Sequence, residues 1–462
     1  MSNSETYTVS PKTLSRSRLA TFSHKTADTM DRFFKPWLPA RPPTYLFVNA
    51  NVVDTVSGTI TPDARVYVAD GHIISVSTEG DEQLPEGAER IDLEGQFLCP
   101  GLTDAHVHIT ATPGETDLKN MINVDENTIL LRTTYVCRDI ISRGFTMARD
   151  CGGAPFALNE AIEDGLIPGP RLSIAGHVLS QTGGHGDLRS SYQHSSPECS
   201  CGQVKGLARI CDGVPECLHM ARDELRRGSD FLKIMGSGGV ISPTDAIEDV
   251  QFTPDEIRAI TSVANAAGKY ATSHAYTPKA ILNAINNGVM GIEHGNLLDA
   301  PTAKIMAEKG VFLTPTLVTY ATMAEGPFAN FLPAVLKAKN RNILESGYAA
   351  LKFAKEAGVV ICFGTDLLGP LGAFQSAEFS LRSKLLSPLE ILQSATINPA
   401  KMMGLPKSGQ IREGFWADLI VLKSNPLVDI TVLDRTKTEL IAVFKEGRPY
   451  YSKLAGVKGS LD

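Results

Sequence analysis

Between positions 44 and 101 apolar residues fall in short runs rich in Val and Ile: YLFVNANVVD, ARVYVADGHIISVST and ERIDLEGQFLCPG, separated by Gly and Pro. Such runs, bounded by chain breakers, predict strands. The same texture returns near the other end as GQIREGFWADLIVLKSN and LIAVFKEGRPYY. Between them, strand-like runs alternate with helical ones, the mark of a βαβ architecture. Inner strands are expected at 96–103, 146–150, 171–176, 231–235, 270–274, 291–294, 311–314 and 360–364. Two helix starts carry a capping box: Thr253, Pro254, Glu256 and Ser387, Pro388, Glu390. Eight strand-helix units predict an α/β fold, a (β/α)8 TIM barrel over 97–403. A small β-sandwich-like domain is expected from both chain ends, 44–96 and 404–454, with an extension at 1–43 and a tail at 455–462.

Composition narrows the function classes. The chain has 462 residues, 43% hydrophobic and 21% charged, with a net charge of -7. Without a basic excess, nucleic acid is not an expected partner. No apolar run reaches the roughly 18 to 20 residues of a membrane span, so no membrane partner is expected either. The first forty residues carry no signal-peptide apolar region; their Ser, Thr and basic residues faintly resemble an organelle transit peptide. The plainer reading is a disordered or surface-wrapping extension of a cytoplasmic protein. The 8 cysteines are scattered, as reduced thiols would be. Cys199, Cys201, Cys211 and Cys217, with His194 and His219 beside them, lack the paired spacing of a zinc ribbon. An ordinary loop insertion is expected there, with a structural zinc or a local disulfide as the alternatives.

Chemistry enters at the strand ends, where barrels of this kind place reactive groups. In LCPGLTDAHVHIT, His106 and His108 stand two apart and so share a face of an extended segment. Lys233 interrupts the apolar fourth strand; His274 and His294 end the fifth and sixth; Asp366 follows the eighth. Singly, each has an ordinary explanation: a hydrogen-bonded histidine, an ion-paired lysine, a helix-capping aspartate. Four histidines, a lysine and an aspartate converging on one rim predict a metal site.

This set, in this order, resembles the amidohydrolase superfamily. The phrases PGLTDAHVH, SQTGGHGD, FLKIMGSGGV, SHAYT, IEHGN, GTDLLGP and GQIREGFWADLIVL resemble its branch of imidazolonepropionases, prolidase-like dipeptidases and ochratoxin-hydrolysing amidohydrolases, over about 45–453. The resemblance implies two divalent ions, Zn2+ by ligand chemistry. His106, His108 and Asp366 would hold one and His274 and His294 the other. Lys233, as N6-carboxylysine, would join them: burial disfavours a charged amine, and a neutral amine can combine with CO2. Metal-activated hydroxide would attack a polarised carbonyl, with Asp366 as general base and then acid.

Other residues near the rim are candidates on weaker grounds. His185 would donate to the substrate carbonyl or its oxyanion, or else only structure its loop. Tyr276 would face the substrate; His177 has a lesser claim; 316–320 would line the pocket. Gly236, Gly238 and Gly239 complete no phosphate-binding motif and would make room at the mouth. Arg189 is the guess for a substrate carboxylate. The expected function is hydrolysis of a small N-acyl amino acid or dipeptide, carboxypeptidase-like, ochratoxin-type substrates included, by a homo-oligomer. Hydrolysis of cyclic amides or lactones is the alternative, and a non-catalytic scaffold of the same fold a further one.

Overall fold

The computed structural model describes residues 31–79, 87–121, 123–189, 192, 207–242 and 244–461. At its centre stand parallel strands buried on both faces, which is why they read as nearly continuous apolar runs. In chain order they are β1 (Leu102–Val107), β2 (Phe145–Asp150), β3 (Arg171–Ile174), β4 (Leu232–Met235), β5 (Ala271–Ala275), β6 (Gly291–His294) and β7 (Phe312–Thr314). Residues 360–364 complete the ring. Leu313 donates to the Val360 carbonyl at 3.0 Å, Cys362 to Leu313 at 2.8 Å, and Ala105 of β1 to Phe363 at 2.7 Å. The third strand is broken. It bends at Gly176, whose φ is 69°, and resumes as Val178–Ser180, which pairs with β4 through Leu179 and Ile234. A Cβ at Gly176 would lie 2.4 Å from Glu224 Oε2, so only glycine fits the bend.

Helices connect the strands where the sequence signals them. Pro254–Ala266 and Pro388–Ser394 both begin with the expected capping box, from Thr253 and Ser387. Among the described residues, no helix is long and apolar enough to cross a membrane.

The second sheet, of eight strands among the described residues, draws on both chain ends. Phe97–Pro100 lies between the two contributions, parallel to Thr44–Val53 and antiparallel to Leu419–Leu422. The sheet curls over itself. Phe444 packs its ring 5.2 Å from Phe47 and 5.7 Å from Tyr45, although their strands are not neighbours. Phe47, Val66, Leu98, Leu419 and Phe444 share the core inside that curl, which gives the sandwich-like form. The single strand expected at 96–103 is therefore two strands. The chain leaves the curled sheet at Pro100 and enters the barrel after Gly101, where a Cβ would lie 2.2 Å from Thr146 Oγ1.

A buried ionic joint ties barrel to sheet at the foot of β3. Arg171 Nη1 donates to Asp418 Oδ2 at 2.7 Å, Nη2 donates to Glu446, and the guanidinium lies 3.7 Å from the Trp416 ring centre. Lys445 Nζ donates to the Gly169 carbonyl at 2.8 Å beside it. Removing one member of such a network strands its partners. Arg171→Ala is expected to cost about 3–5 kcal/mol in urea unfolding, against about 1 kcal/mol for loss of the helix cap in Ser387→Ala. Similar small losses for both would show that the joint does not hold the two sheets together.

Candidate metal centre

Five strand ends bring the singled-out side chains to one cavity, with about 1110 Å³ of open space, lined by His106, His108, Lys233, His274, His294 and Asp366 among others. Asp366 Oδ1 lies 3.5 Å from His106 Nε2 and 3.3 Å from His108 Nε2. The ring centres of His106 and His294 are 5.0 Å apart, and those of His274 and His294 4.6 Å. Ligand atoms of His106, His294 and Asp366 all fall within 4.8 Å of one another. The backbone is bent to achieve this. His294 and Asp366 adopt φ of 71° and 51°, left-handed values that cost a non-glycine residue energy and persist only where surroundings enforce them. For Asp366 the enforcement is visible: its N–H donates to the His106 carbonyl at 2.8 Å.

One nitrogen of each ring is engaged. His106 Nδ1 is 2.8 Å from Glu293 Oε2, His108 Nδ1 2.8 Å from the Gly152 carbonyl, and His294 Nδ1 2.8 Å from Thr316 Oγ1. For His106 and His108 these contacts leave Nε2 free toward Asp366, as metal-binding histidines are held by their other nitrogen, whereas His294 Nδ1 itself lies 3.2 Å from the Tyr320 hydroxyl and 4.0 Å from Asp366 Oδ2. His274 is engaged the other way round, Nε2 lying 3.3 Å from the Gly238 carbonyl, which leaves Nδ1. Burial pulls the His106 imidazole down to about 4 and holds His274 and His294 well below the usual histidine range. Neutral imidazole is the form that binds metal. His108 goes the other way: burial would lower it, but its bond to Asp366 and that charge raise it. Burial would raise Asp366, yet the histidines around it hold its carboxyl below the usual range.

Lys233 is buried, 1% exposed, in the wall of this cavity. Among the described residues its amine has no hydrogen-bond or ion-pair partner. The expected alternative, a lysine paired with a carboxylate, is not what the structure contains. Four imidazoles, one carboxylate and an unpartnered buried amine are a donor set suited to divalent ions of the zinc type. A second close group, His106, Cys151 and Glu293, is already committed. Glu293 is paired with Arg149 at 2.6 Å, and burial raises the Cys151 thiol, so this group orients His106 from behind.

Other expectations fare differently. Tyr276 and His185 line the cavity, and the Tyr276 hydroxyl meets that of Tyr320 at 2.7 Å. Within 316–320, Thr319 and Tyr320 reach the cavity while Thr316 backs His294. His177 is not there; it pairs with Glu224 at 3.1 Å and lines a separate groove. Arg189 is spent on Asp187, two bonds of 2.7 and 2.5 Å, and does not line the cavity. The three glycines serve close packing: a Cβ at Gly236, Gly238 or Gly239 would lie 2.2, 1.9 or 2.0 Å from Ser273 Oγ, the Ala246 carbonyl or the His185 ring. Cys211 and Cys217 are buried free thiols with Sγ atoms 3.7 Å apart. His194, Cys199 and Cys201 lie outside the described residues. The sequence reading missed Asp104, Arg149 and Glu293. A signal for Asp104 was present: it stands two before His106, on the face His106 and His108 share.

The amidohydrolase family model matches residues 97–450. This chain belongs to the amidohydrolase family. That membership makes it a hydrolase, in a family where divalent metals are general. It is 31% identical to an ochratoxinase of Aspergillus niger over 406 residues, 84% of this chain and 82% of that protein. Among solved structures, a prolidase complexed with N-methylphosphonate-L-proline is similar at a TM-score of 0.85 with 38% identity, covering 89% of this chain and 100% of the other. A Xaa-Pro dipeptidase with methionine bound in its active site is similar at 0.80 with 28% identity, covering 88% and 100%. These likenesses fall in the branch that the sequence motifs resemble. Because hydrogen-bond partners set ring orientation, Thr316→Val is expected to weaken the binding of an added divalent ion about 10–100-fold. Chelator competition on the folded variant measures this, and unchanged affinity would speak against His294 as a ligand.

Proposed function

We propose that this amidohydrolase cleaves the amide C–N bond of small N-acyl amino acids or dipeptides at a binuclear centre. The observation that carries the reading is the Lys233 amine, buried among the four imidazoles with no partner among the described residues. Reaction of Nζ with CO2 forms an N–C bond, releases one proton, and turns an isolated buried amine into an anion with two ligand oxygens. The carbamate would stand between His106, His108 and Asp366 on one side and His274 and His294 on the other. Bound there, two divalent ions, zinc by preference for such donors, would lower the pKa of water from about 15.7 toward roughly 7 and polarise the scissile carbonyl.

The remaining work falls to the chain's own groups. Asp366 lines the cavity and is the acceptor for the proton of the attacking water. It then returns that proton to the leaving nitrogen, a base turned acid. Tyr276 and His185 meet the polar groups of the substrate beside His274, whose ring centre lies 4.9 and 4.4 Å from theirs. Met121, Ile129, Leu188, Val240 and Met323 form apolar walls that exclude water and receive an apolar substrate side chain. Relatives named ochratoxinase, prolidase and Xaa-Pro dipeptidase support the substrate class.

The test is a panel of N-acyl amino acids and dipeptides, assayed with enzyme expressed in added zinc and bicarbonate. Free amino acid should be released from one subclass. Asp366→Asn should lower turnover at least ~100-fold, and Lys233→Ala should lose both activity and bound metal. Hydrolysis confined to cyclic amides or lactones, with two metals bound, would reject the acyclic substrate class.

A further inference from the structure

His185 is gripped from two directions by one buried network. Its ring Nδ1 lies 2.7 Å from Ser242 Oγ, and the Ser242 hydroxyl donates to Asp245 Oδ1. Gln251 joins both ends: its Nε2 donates to Asp245 Oδ2 at 2.9 Å, and its Oε1 accepts from the His185 backbone N–H at 2.9 Å. All three partners are buried. Their loop is itself fixed. Gly238 donates to the Asp249 carbonyl and Gln251 to that of Gly236, each at 3.0 Å. From the long helix Ala334–Ala357, Lys339 Nζ donates to the Asp245 carbonyl at 3.0 Å. The His185 ring sits so close to Gly239 that a Cβ there would lie 2.0 Å from its Cε1.

The direction of the bonds follows from counting protons. A serine has one O–H, and that of Ser242 is given to Asp245. Its contact with His185 must then be donated by Nδ1–H. The other ring nitrogen, Nε2, is left for the cavity that His185 lines. We infer that Ser242, Asp245 and Gln251 are positioning residues that fix the ring angle and the Nδ1–H tautomer of His185, so that Nε2 meets the substrate as an acceptor for an N–H or O–H. This reverses the donor role expected of His185 from sequence. It rests on the proposed reading only in that His185 touches substrate.

Two readouts separate the device from the activity. Histidine 15N NMR of the intact protein, with the His185 signal assigned by its loss in His185→Ala, should show the Nδ1–H pattern. Ser242→Ala should shift that signal toward mixed tautomers, and Ser242→Thr, which keeps the hydroxyl, should restore it. In kinetics on the cleaved substrate, Ser242→Ala should lower kcat/KM about 10-fold or more, with zinc content unchanged and the variant still folded at the assay temperature. In the His185→Ala background the same change should add no further loss. An unaltered His185 signal in Ser242→Ala, or an equal kinetic loss in both backgrounds, would overturn the positioning role. If no amide in the panel is cleaved, the hydrolysis reading fails while the spectrum still decides this one.

Discussion

The seam where the last strand meets the first is what the candidate site depends on. A barrel must join its end strands, and here the joint also sets the spacing of two key side chains. Asp104 lies at its centre, wholly buried. It accepts from the His106 backbone N–H at 3.1 Å, from the Thr365 N–H and hydroxyl at 3.2 and 2.7 Å, and from Gln375 Nε2 at 2.8 Å. Burial pushes this carboxyl up to about 6 even with those donors around it. The same carboxylate thus grips the residue that carries the first ring and the residue before Asp366. Closure of the fold and approach of Asp366 to the histidines are one event.

How much of this the sequence shows depends on whether the controlling force is local. Period-two spacing put His106 and His108 on one face, and capping boxes placed two helix starts, because both effects act within a few residues. The strand at 96–103 was read as one because its apolar run is continuous. Only the competing hydrogen bonds of the returning segment Leu419–Leu422 reveal that its first half belongs elsewhere. Arg189 is the opposite case: its acceptor Asp187 is two residues away, so this pairing was open to a local reading of the sequence. Glu293 could not be distinguished from an ordinary strand residue until Arg149, from β2, was seen against it.

The charges divide by depth. Arg149 and Glu293 lie in the barrel interior behind His106; Arg171, Asp418, Glu446 and Lys445 lie at the opposite end, against the curled sheet. A buried ion pair seldom adds much net stability over an apolar packing, but it penalises every arrangement that separates the pair. In this molecule the two clusters therefore select one register: the lower for sheet against barrel, the upper for the His106 imidazole against the cavity. That division matches the usual separation in such barrels of a stabilising bottom from a reactive top.

Rigidity at the rim has the same logic. His294 and Asp366 hold left-handed backbones that a free chain would abandon. The bent third strand needs a glycine at 176, and the His185 ring needs one at 239. Each local cost is tolerated because hydrogen bonds from other strands leave no alternative conformation of lower energy. Side chains fixed in this way lose little freedom when substrate arrives, so more of the binding energy is available to hold the reacting groups in place. The polar groups behind the rings of His106 and His185, Glu293 and the Ser242–Asp245 pair, then decide which nitrogen each ring presents. Ring identity alone, which is all that a motif records, does not carry that information.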